Sequence, residues 1–234
     1  MPEKIIQLFL SCEHGGNIIP DCYKHLFVAS MDVLETHRGY DRGALPLFAL
    51  IKSEFHPAFS ISNETCRLLV DLNRSLHRRT LLSEWTKPLP VDEKQRILAQ
   101  YYFPYRRAFI DALKVSLEKG HRVLHLSVHS FTPLLNGVER QTDIGILYHP
   151  GRPWEKTFAA QWKTALNARL PHLRVRFNYP YLGKPDGHVA FHRKVYGDAQ
   201  YAGIEFELNQ KHAGAEDVYA GIVEALKDVL ALDQ

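Results

Sequence analysis

The strongest constraint on the fold is a set of short apolar runs that end abruptly at glycine, proline or charged residues. The clearest is RVLHLSVHS (122–130), and a second, KIIQLFLS (4–11), is stopped by Gly15, Gly16 and Pro20. Runs of this length that are rich in branched residues are typical of strands buried in a sheet. We therefore expect a strand at each of these two positions.

Further strands alternate with segments of helical spacing. We predict strands at 59–62, 66–72 (CRLLVDL), 143–149, 174–177 and 201–209, and helices at 41–54, 92–119, 153–169 and 215–232. Pro104 should kink or interrupt the second of these helices, because proline has no N–H to donate. The alternation predicts an α/β fold of three layers, with a mostly parallel or mixed central sheet and helices on both faces.

The composition favours one globular domain over residues 1–234. Apolar residues make up 45% of the chain and charged residues 24%, and the sequence contains no internal repeat or linker. The net charge of +3 does not call for a nucleic-acid partner. Three cysteines without disulfide or metal-binding spacing favour a reducing cytoplasm. The apolar run near the first residue is too short for a signal peptide or a membrane span.

Polar and ionisable residues follow the predicted strands at the points where the apolar runs stop. Ligands in open α/β sheets collect at the carboxyl ends of the strands, so these residues are the candidates for a functional site. Four strand ends contribute them: Glu13 and His14; Asp71, Asn73 and Arg74; His129 and Ser130; Glu205 and Glu207.

His14 and His129 are the best candidates for metal ligands. Each follows a buried strand and has small neighbours, and a zinc hydrolase needs about three His, Asp or Glu ligands beside an open position for water. Asp41, in HRGYDRGA, could complete the set. A lone histidine at a strand end is more often a cap or loop residue, and Asp41 is equally compatible with the start of a helix.

Two further groups have a chemical and a structural interpretation. Asn73 and Arg74, with Arg67 upstream, suit a substrate carboxylate because guanidinium matches it in a planar fork, although a salt bridge to Asp71 explains them as well. Burial of Glu205 among apolar residues would raise its pKa and fit it for proton transfer. Its alternation with Glu207 is also what a half-exposed strand would show.

The motifs SCEHGGNIIP, HRGYDRGA, CRLLVDLNRS, LSVHSFTP and GIEFELNQ occur in this order. Together they resemble the N-formylglutamate amidohydrolase family, from about residue 8 to about residue 210. The resemblance implies a phosphorylase/hydrolase-like domain related to zinc carboxypeptidases. It also implies zinc-dependent hydrolysis of N-formyl-L-glutamate, or a related N-acyl amino acid, to formate and L-glutamate, the last step of one histidine-degradation route.

The resemblance also implies roles for individual residues. His14, Asp41 and His129 would bind the zinc ion, and Glu13 is the reserve third ligand because Asn17 occupies the Glu position of the carboxypeptidase His-x-x-Glu motif. Glu205 would move the proton. The substrate carboxylate and the oxyanion would be held by Arg67, Asn73 and Arg74, with Ser130 and Arg140 as further contacts.

Three other functions remain open at this stage. A zinc carboxypeptidase-like amidase acting on another acylated amino acid or peptide would use the same residues. A thiol hydrolase could be built on Cys12, although a free cysteine in a strand is usually a buried apolar residue. A nucleic-acid-binding module is suggested by LHRRT and YYFPYRR, which mix basic and aromatic residues, but such clusters are more often solvated surface.

Overall fold

A computed structural model describes residues 5–232 as an α/β fold around a six-stranded sheet. Its strand order is β2-β1-β3-β8-β6-β7, and every neighbouring pair is parallel except β6 and β8. A separate antiparallel hairpin is formed by β4 and β5. The strands are β1 (Ile6–Cys12), β2 (Phe59–Ser62), β3 (Arg122–Phe131), β4 (Leu134–Leu135), β5 (Val138–Glu139), β6 (Ile144–Leu147), β7 (Val175–Phe177) and β8 (Tyr201–Asn209).

Helices cover both faces of the sheet, which confirms the predicted fold class. The first face packs against α2, α5 and α7, and the second against α4 and α6. The helices are α1 (Met31–Leu34), α2 (Ala44–Phe55), α3 (Val91–Ile97), α4 (Phe103–Glu118), α5 (Pro153–Arg169), α6 (His188–Val195) and α7 (Glu216–Leu232), with short 3-10 turns at Asp21–Leu26, Val28–Ser30 and Gln210–His212.

Alternation along β3 explains how one strand serves both a core and a polar layer. Leu124 and Leu126 join the apolar core beneath α2, α5 and α7. The intervening side chains, His125, Ser127 and His129, point to the other face, although all three are as buried as the core residues. A strand buried on both faces therefore carries polar groups on the α4 and α6 side of the sheet.

The predicted strand at 66–72 is wrong. These residues form turns whose backbone bonds lead elsewhere: the Cys66 N–H donates to the Ile18 carbonyl, and the Asp71 N–H to the Leu81 carbonyl, both at 2.9 Å. Leu69 is fully buried in a second apolar cluster away from the sheet. A short apolar run signals burial, but it does not separate a strand from a buried turn.

The other predictions differ mainly at their ends. The helix at 153–169 and the strand at 201–209 are confirmed, while the predicted helix at 41–54 begins only at Ala44, after Gly43 with φ of 89°. The segment 92–119 is divided by a π-helical turn, Leu98–Tyr102, so the expected interruption near Pro104 is present. Helix α6 and the β4–β5 hairpin were not predicted, and Lys4 of the first predicted strand lies outside the described residues.

No helix within residues 5–232 has the length and apolar character needed to cross a membrane.

The packing of α5 on the sheet yields a stability prediction. Trp162 is fully buried, and its ring stacks on Phe206 of β8 with 4.8 Å between the centroids. We expect Trp162→Ala to lower the free energy of unfolding by about 3–5 kcal/mol, because the cavity left behind cannot fully collapse. Urea denaturation measures the change.

The matched control is Val115→Ala on the half-exposed surface of α4, which should change the free energy of unfolding by no more than about 0.5 kcal/mol. Equal effects of the two substitutions would contradict this account of the α5 interface.

Candidate metal centre and active site

The carboxyl ends of β1, β3 and β8 meet at one edge of the sheet. Parallel register places Ser127 beside Glu205 and His129 beside Glu207. A cavity of about 350 Å³ opens at this edge. Most residues nominated from the sequence line it: His14, Asp41, Arg67, Asn73, Arg74, His129, Ser130 and Glu205, together with Glu207.

The three nominated metal ligands converge in this cavity. The Asp41 Oδ2 atom lies 2.8 Å from His129 Nδ1 and 3.3 Å from His14 Nδ1. One potential ligand atom from each of the three residues lies within 4.8 Å of the others, and all three side chains are buried. A carboxylate and two imidazoles in this arrangement suit a divalent metal such as zinc.

Local backbone structure holds Asp41 in this position. Its N–H donates to the carbonyl of His14 at 2.9 Å, which ties the HRGYDRGA loop to the segment that follows β1. Its own carbonyl accepts from the N–H of Ala44, the first residue of α2. The interpretation of Asp41 as the start of a helix and its interpretation as a candidate ligand are therefore compatible.

A second carboxylate lies behind each histidine. His14 Nε2 donates to Asp71 Oδ1 at 2.7 Å, and His129 Nε2 lies 3.1 Å from Glu13 Oε2. Metal-binding histidines typically donate their remote N–H to a carboxylate, which fixes the ring and leaves the other nitrogen for the metal. Glu13, the reserve ligand, is thus placed behind His129, on the side away from Asp41.

Charge pairing shifts the pKa values of this group. Burial alone would lower the pKa of His129, but its hydrogen bonds to Asp41 and Glu13 raise it well above the ordinary histidine value. Burial would likewise raise the pKa of Asp41, yet His14, His129 and Arg67 hold that pKa well below its usual value. His129 therefore tends to keep its proton and its positive charge beside Asp41. A bound cation would replace this proton.

Arg67 is engaged by the same carboxylates. Its guanidinium contacts Asp41 Oδ1 at 3.3 Å and Asp71 Oδ2 at 2.9 Å, and its side chain is 22% exposed. The salt bridge to Asp71 that the sequence offered as the structural interpretation of this group is made by Arg67. Arg67 remains part of the cavity wall, where its exposed fraction can reach a bound molecule.

Asn73 and Arg74 differ in how many of their side-chain polar atoms are already hydrogen-bonded within the protein. Asn73 Oδ1 accepts from the His188 N–H at 2.5 Å, and its Nδ2 donates to Glu205 Oε1 at 3.3 Å. Arg74 Nη1 donates to the Asn73 carbonyl at 2.7 Å, while its side chain lines the cavity. Arg74 is therefore the better placed of the two to meet a substrate carboxylate.

Ser130 and Arg140 lie at different depths. Ser130 lines the cavity, and its hydroxyl donates to the Arg42 carbonyl at 2.8 Å. Arg140 is buried behind the wall, with its guanidinium 5.2 Å from the ring centroid of Tyr181 and 5.7 Å from that of Phe131. Both rings line the cavity, whereas Arg140 itself does not, so its contact with the cavity is indirect.

Two carboxylates of the site, Asp71 and Glu207, were among the strand-end candidates from the sequence but received no ligand or catalytic role. Asp71 was otherwise considered as a salt-bridge partner, and in the structure it accepts from both His14 and Arg67. Glu207 was treated as the alternate of Glu205 on a strand face, yet it is 6% exposed and its Oε2 has no hydrogen-bond partner within residues 5–232. Burial raises the pKa of the Glu207 carboxyl to about 8. Glu207 lies beside His129 in the register of β3 and β8, which would have placed it in the site, but this register is known only once the strand pairing is known.

Comparison with known proteins agrees with this architecture. The chain is similar to a gene product of Agrobacterium tumefaciens, with 24% identity, a TM-score of 0.77, and coverage of 97% of this chain and 90% of the other. It is also similar in fold to an N-formylglutamate amidohydrolase from Ralstonia eutropha, with 15% identity, a TM-score of 0.68, and coverage of 99% and 94%. No curated protein matches the chain by sequence.

The N-formylglutamate amidohydrolase family model matches residues 6–213, which include the motifs and every residue of the candidate site described above. The match spans most of the 234 residues. The chain therefore belongs to the N-formylglutamate amidohydrolase family, a family of hydrolases that act on amide bonds.

Proposed function

We propose that this protein hydrolyses the amide bond of N-formyl-L-glutamate, or of a related N-acyl amino acid, with one zinc ion held by His14, Asp41 and His129. The observation that carries the proposal is the matched setting of the two histidines. Each ring directs Nδ1 toward Asp41 and is held from behind by a carboxylate. This setting is typical of metal-binding histidines, and the donor set fits zinc.

When bound, such an ion supplies a Lewis acid and lowers the pKa of water to about 7. The chain's own part is to keep the two Nδ1 atoms free of other partners and to hold Asp41 between them. Asp71 and Arg67 maintain this arrangement, because Asp71 accepts from both His14 and Arg67.

Proton transfer falls to the glutamates of β8. Glu205 was nominated from the sequence, and Asn73 already donates to its Oε1 atom. Glu207 is more deeply buried, and its Oε2 atom is unpartnered among residues 5–232. A carboxyl group whose pKa lies near neutral pH is suited to accept a proton from water and return it to the leaving amine. We therefore favour Glu207 for this step, with Glu205 as the alternative.

The remaining cavity residues would bind the substrate. Arg74 would meet the α-carboxylate of the amino acid with its planar guanidinium. Arg67 would face the developing oxyanion with the part of its side chain that is exposed to the cavity. Ser130 lines the same cavity. Arg140 would hold the Tyr181 hydroxyl, to which its guanidinium donates a hydrogen bond. A cavity of about 350 Å³ suits a small acylated amino acid.

The first prediction concerns metal dependence. Chelation should abolish formate release from N-formyl-L-glutamate, and added zinc should restore it. His129→Ala should bind one zinc ion fewer per chain than the wild type and lose turnover, whereas His172→Ala at an exposed loop position should change neither. Elemental analysis and a formate assay measure both quantities. An unchanged zinc content in His129→Ala would remove His129 from the site.

The substrate assay also distinguishes N-formyl-L-glutamate hydrolysis from the alternative of an amidase that acts on another substrate. Chelator-sensitive hydrolysis of other N-acyl amino acids or peptides, without formate release from N-formyl-L-glutamate, would keep the metal site and assign a different substrate. Formate release that survives complete metal removal would contradict the mechanism.

The second prediction concerns Asp71. Asp71→Asn should weaken zinc binding roughly 10- to 100-fold, because the ring of His14 loses its carboxylate partner while the size of the side chain is kept. Competition with a chelator of known affinity measures the change. Asp111→Asn on the exposed surface of α4 is the matched control. Equal affinities in the two variants would show that Asp71 does not support a metal ligand.

The third prediction separates the two glutamates. Glu207→Gln should lower kcat about 10²- to 10⁴-fold with unchanged zinc content, the effect expected for loss of a general base. Glu205→Gln should retain most of its kcat. The reverse order of the two kcat values would assign proton transfer to Glu205.

A further inference from the structure

A cluster of buried histidines lies beneath the candidate active site, and the proposed mechanism does not use it. We call His125, His188 and His192 the histidine cluster. All three side chains have no measurable exposure to solvent. His125 comes from β3, two residues before Ser127, whereas His188 and His192 come from α6.

The spacing of the two α6 histidines places both on the same face of the helix. Residues four apart in an α-helix are neighbours on its surface, and this face is turned toward the sheet. The ring centroids of His188 and His192 are 4.8 Å apart, and that of His125 lies 5.5 Å from His188 and 6.5 Å from His192. Paired histidines at this spacing are a recurrent zinc-binding pattern on helices.

The nitrogens of the α6 histidines lack protein partners. Within residues 5–232, neither Nδ1 nor Nε2 of His188 or of His192 forms a hydrogen bond. A buried polar group without a hydrogen-bond partner lowers the stability of the folded protein. Four such nitrogens in one place therefore indicate a ligand that binds them. Burial also holds the pKa values of both rings well below the ordinary value, and the neutral imidazole that results is the form that binds metals.

Glu13 provides a negative charge at the cluster. Potential ligand atoms of Glu13, His125 and His188 all lie within 4.8 Å of one another. The Glu13 carboxylate also accepts from Tyr105 at 2.9 Å and from Ser127 at 2.6 Å. A carboxylate with two or three imidazoles is a donor set that suits zinc and related transition metals.

His125 is the one member of the cluster with hydrogen-bond partners at its ring. Its Nε2 lies 2.7 Å from Ser11 Oγ, and its Nδ1 lies 2.7 Å from the Tyr201 hydroxyl. A metal bound through one ring nitrogen would displace one of these hydroxyls. His188 requires no such exchange, because both of its ring nitrogens are unpartnered in the described part of the chain.

We propose that Glu13, His125 and His188 bind a second transition-metal ion, such as zinc, and that His192 packs against His188 beside this site. The site is closed to solvent, and its role is structural. It joins α6 to β3 and to the segment after β1. Because the His188 N–H donates to Asn73 Oδ1, the ion would also stabilise the position of Asn73 in the cavity wall. This proposal does not depend on the substrate, and the residue that the two sites share is Glu13, whose Oε2 atom also lies 3.1 Å from His129 Nε2.

Zinc stoichiometry tests the proposal. The full-length protein is stripped of metal, refilled with zinc, freed of excess by gel filtration, and measured by elemental analysis. We expect two zinc ions per chain in the wild type and in the exposed control His172→Ala, and one in His188→Ala. Circular dichroism establishes that each variant is folded.

A second variant keeps the test decisive if His188→Ala fails to fold. His129→Ala removes a ligand of the first site only, so it should keep one zinc ion, and this ion should be lost in the double variant that also carries His188→Gln. One zinc ion per chain in the wild type, together with none in His129→Ala, would overturn the second site and leave the first in place. Equal zinc contents in the wild type and in folded His188→Ala would overturn it as well.

Discussion

The candidate site depends on one buried interaction, the sharing of the Asp41 carboxylate by His14, His129 and Arg67. These groups come from the segments after β1 and before α2, from β3, and from the turns that follow β2. Asp71 and Glu13 extend the network by holding the histidines from behind. Because these charges are buried, each depends on its neighbours, and removal of one leaves another without compensation.

Such a network is not explained by stability alone. Buried ion pairs often stabilise a protein no better than well-packed apolar residues of similar volume. The opposite face of the sheet is apolar, and Leu124, Leu126 and Val128 of β3 are fully buried there. Polar residues lie at the edge of the sheet that opens into the cavity. A hydrolase of this family needs polar groups at such a position to act on an amide bond. The arrangement fits selection for function at this edge.

The sequence predicted the sheet and the polar strand ends, because short apolar runs and abrupt stops are local signals. It failed where the outcome depended on distant partners. The run 66–72 is buried as expected, but it pairs with Ile18 and Leu81 in turns and does not enter the sheet. The importance of Asp71 and Glu207 depends on contacts with His14 and on register with His129, which one sequence does not reveal. Helix α6 lies among irregular Pro- and Gly-rich residues, so its paired histidines were not recognised as sharing a face.

The central claim is that His14, Asp41 and His129 bind a metal ion at the edge of the sheet. Anomalous diffraction at the zinc absorption edge, from crystals of catalytically active protein, tests it most directly. The account predicts an anomalous peak in contact with all three side chains, with Asp71 and Glu13 still behind the two imidazoles. Crystals of active protein without a peak between these residues would contradict it.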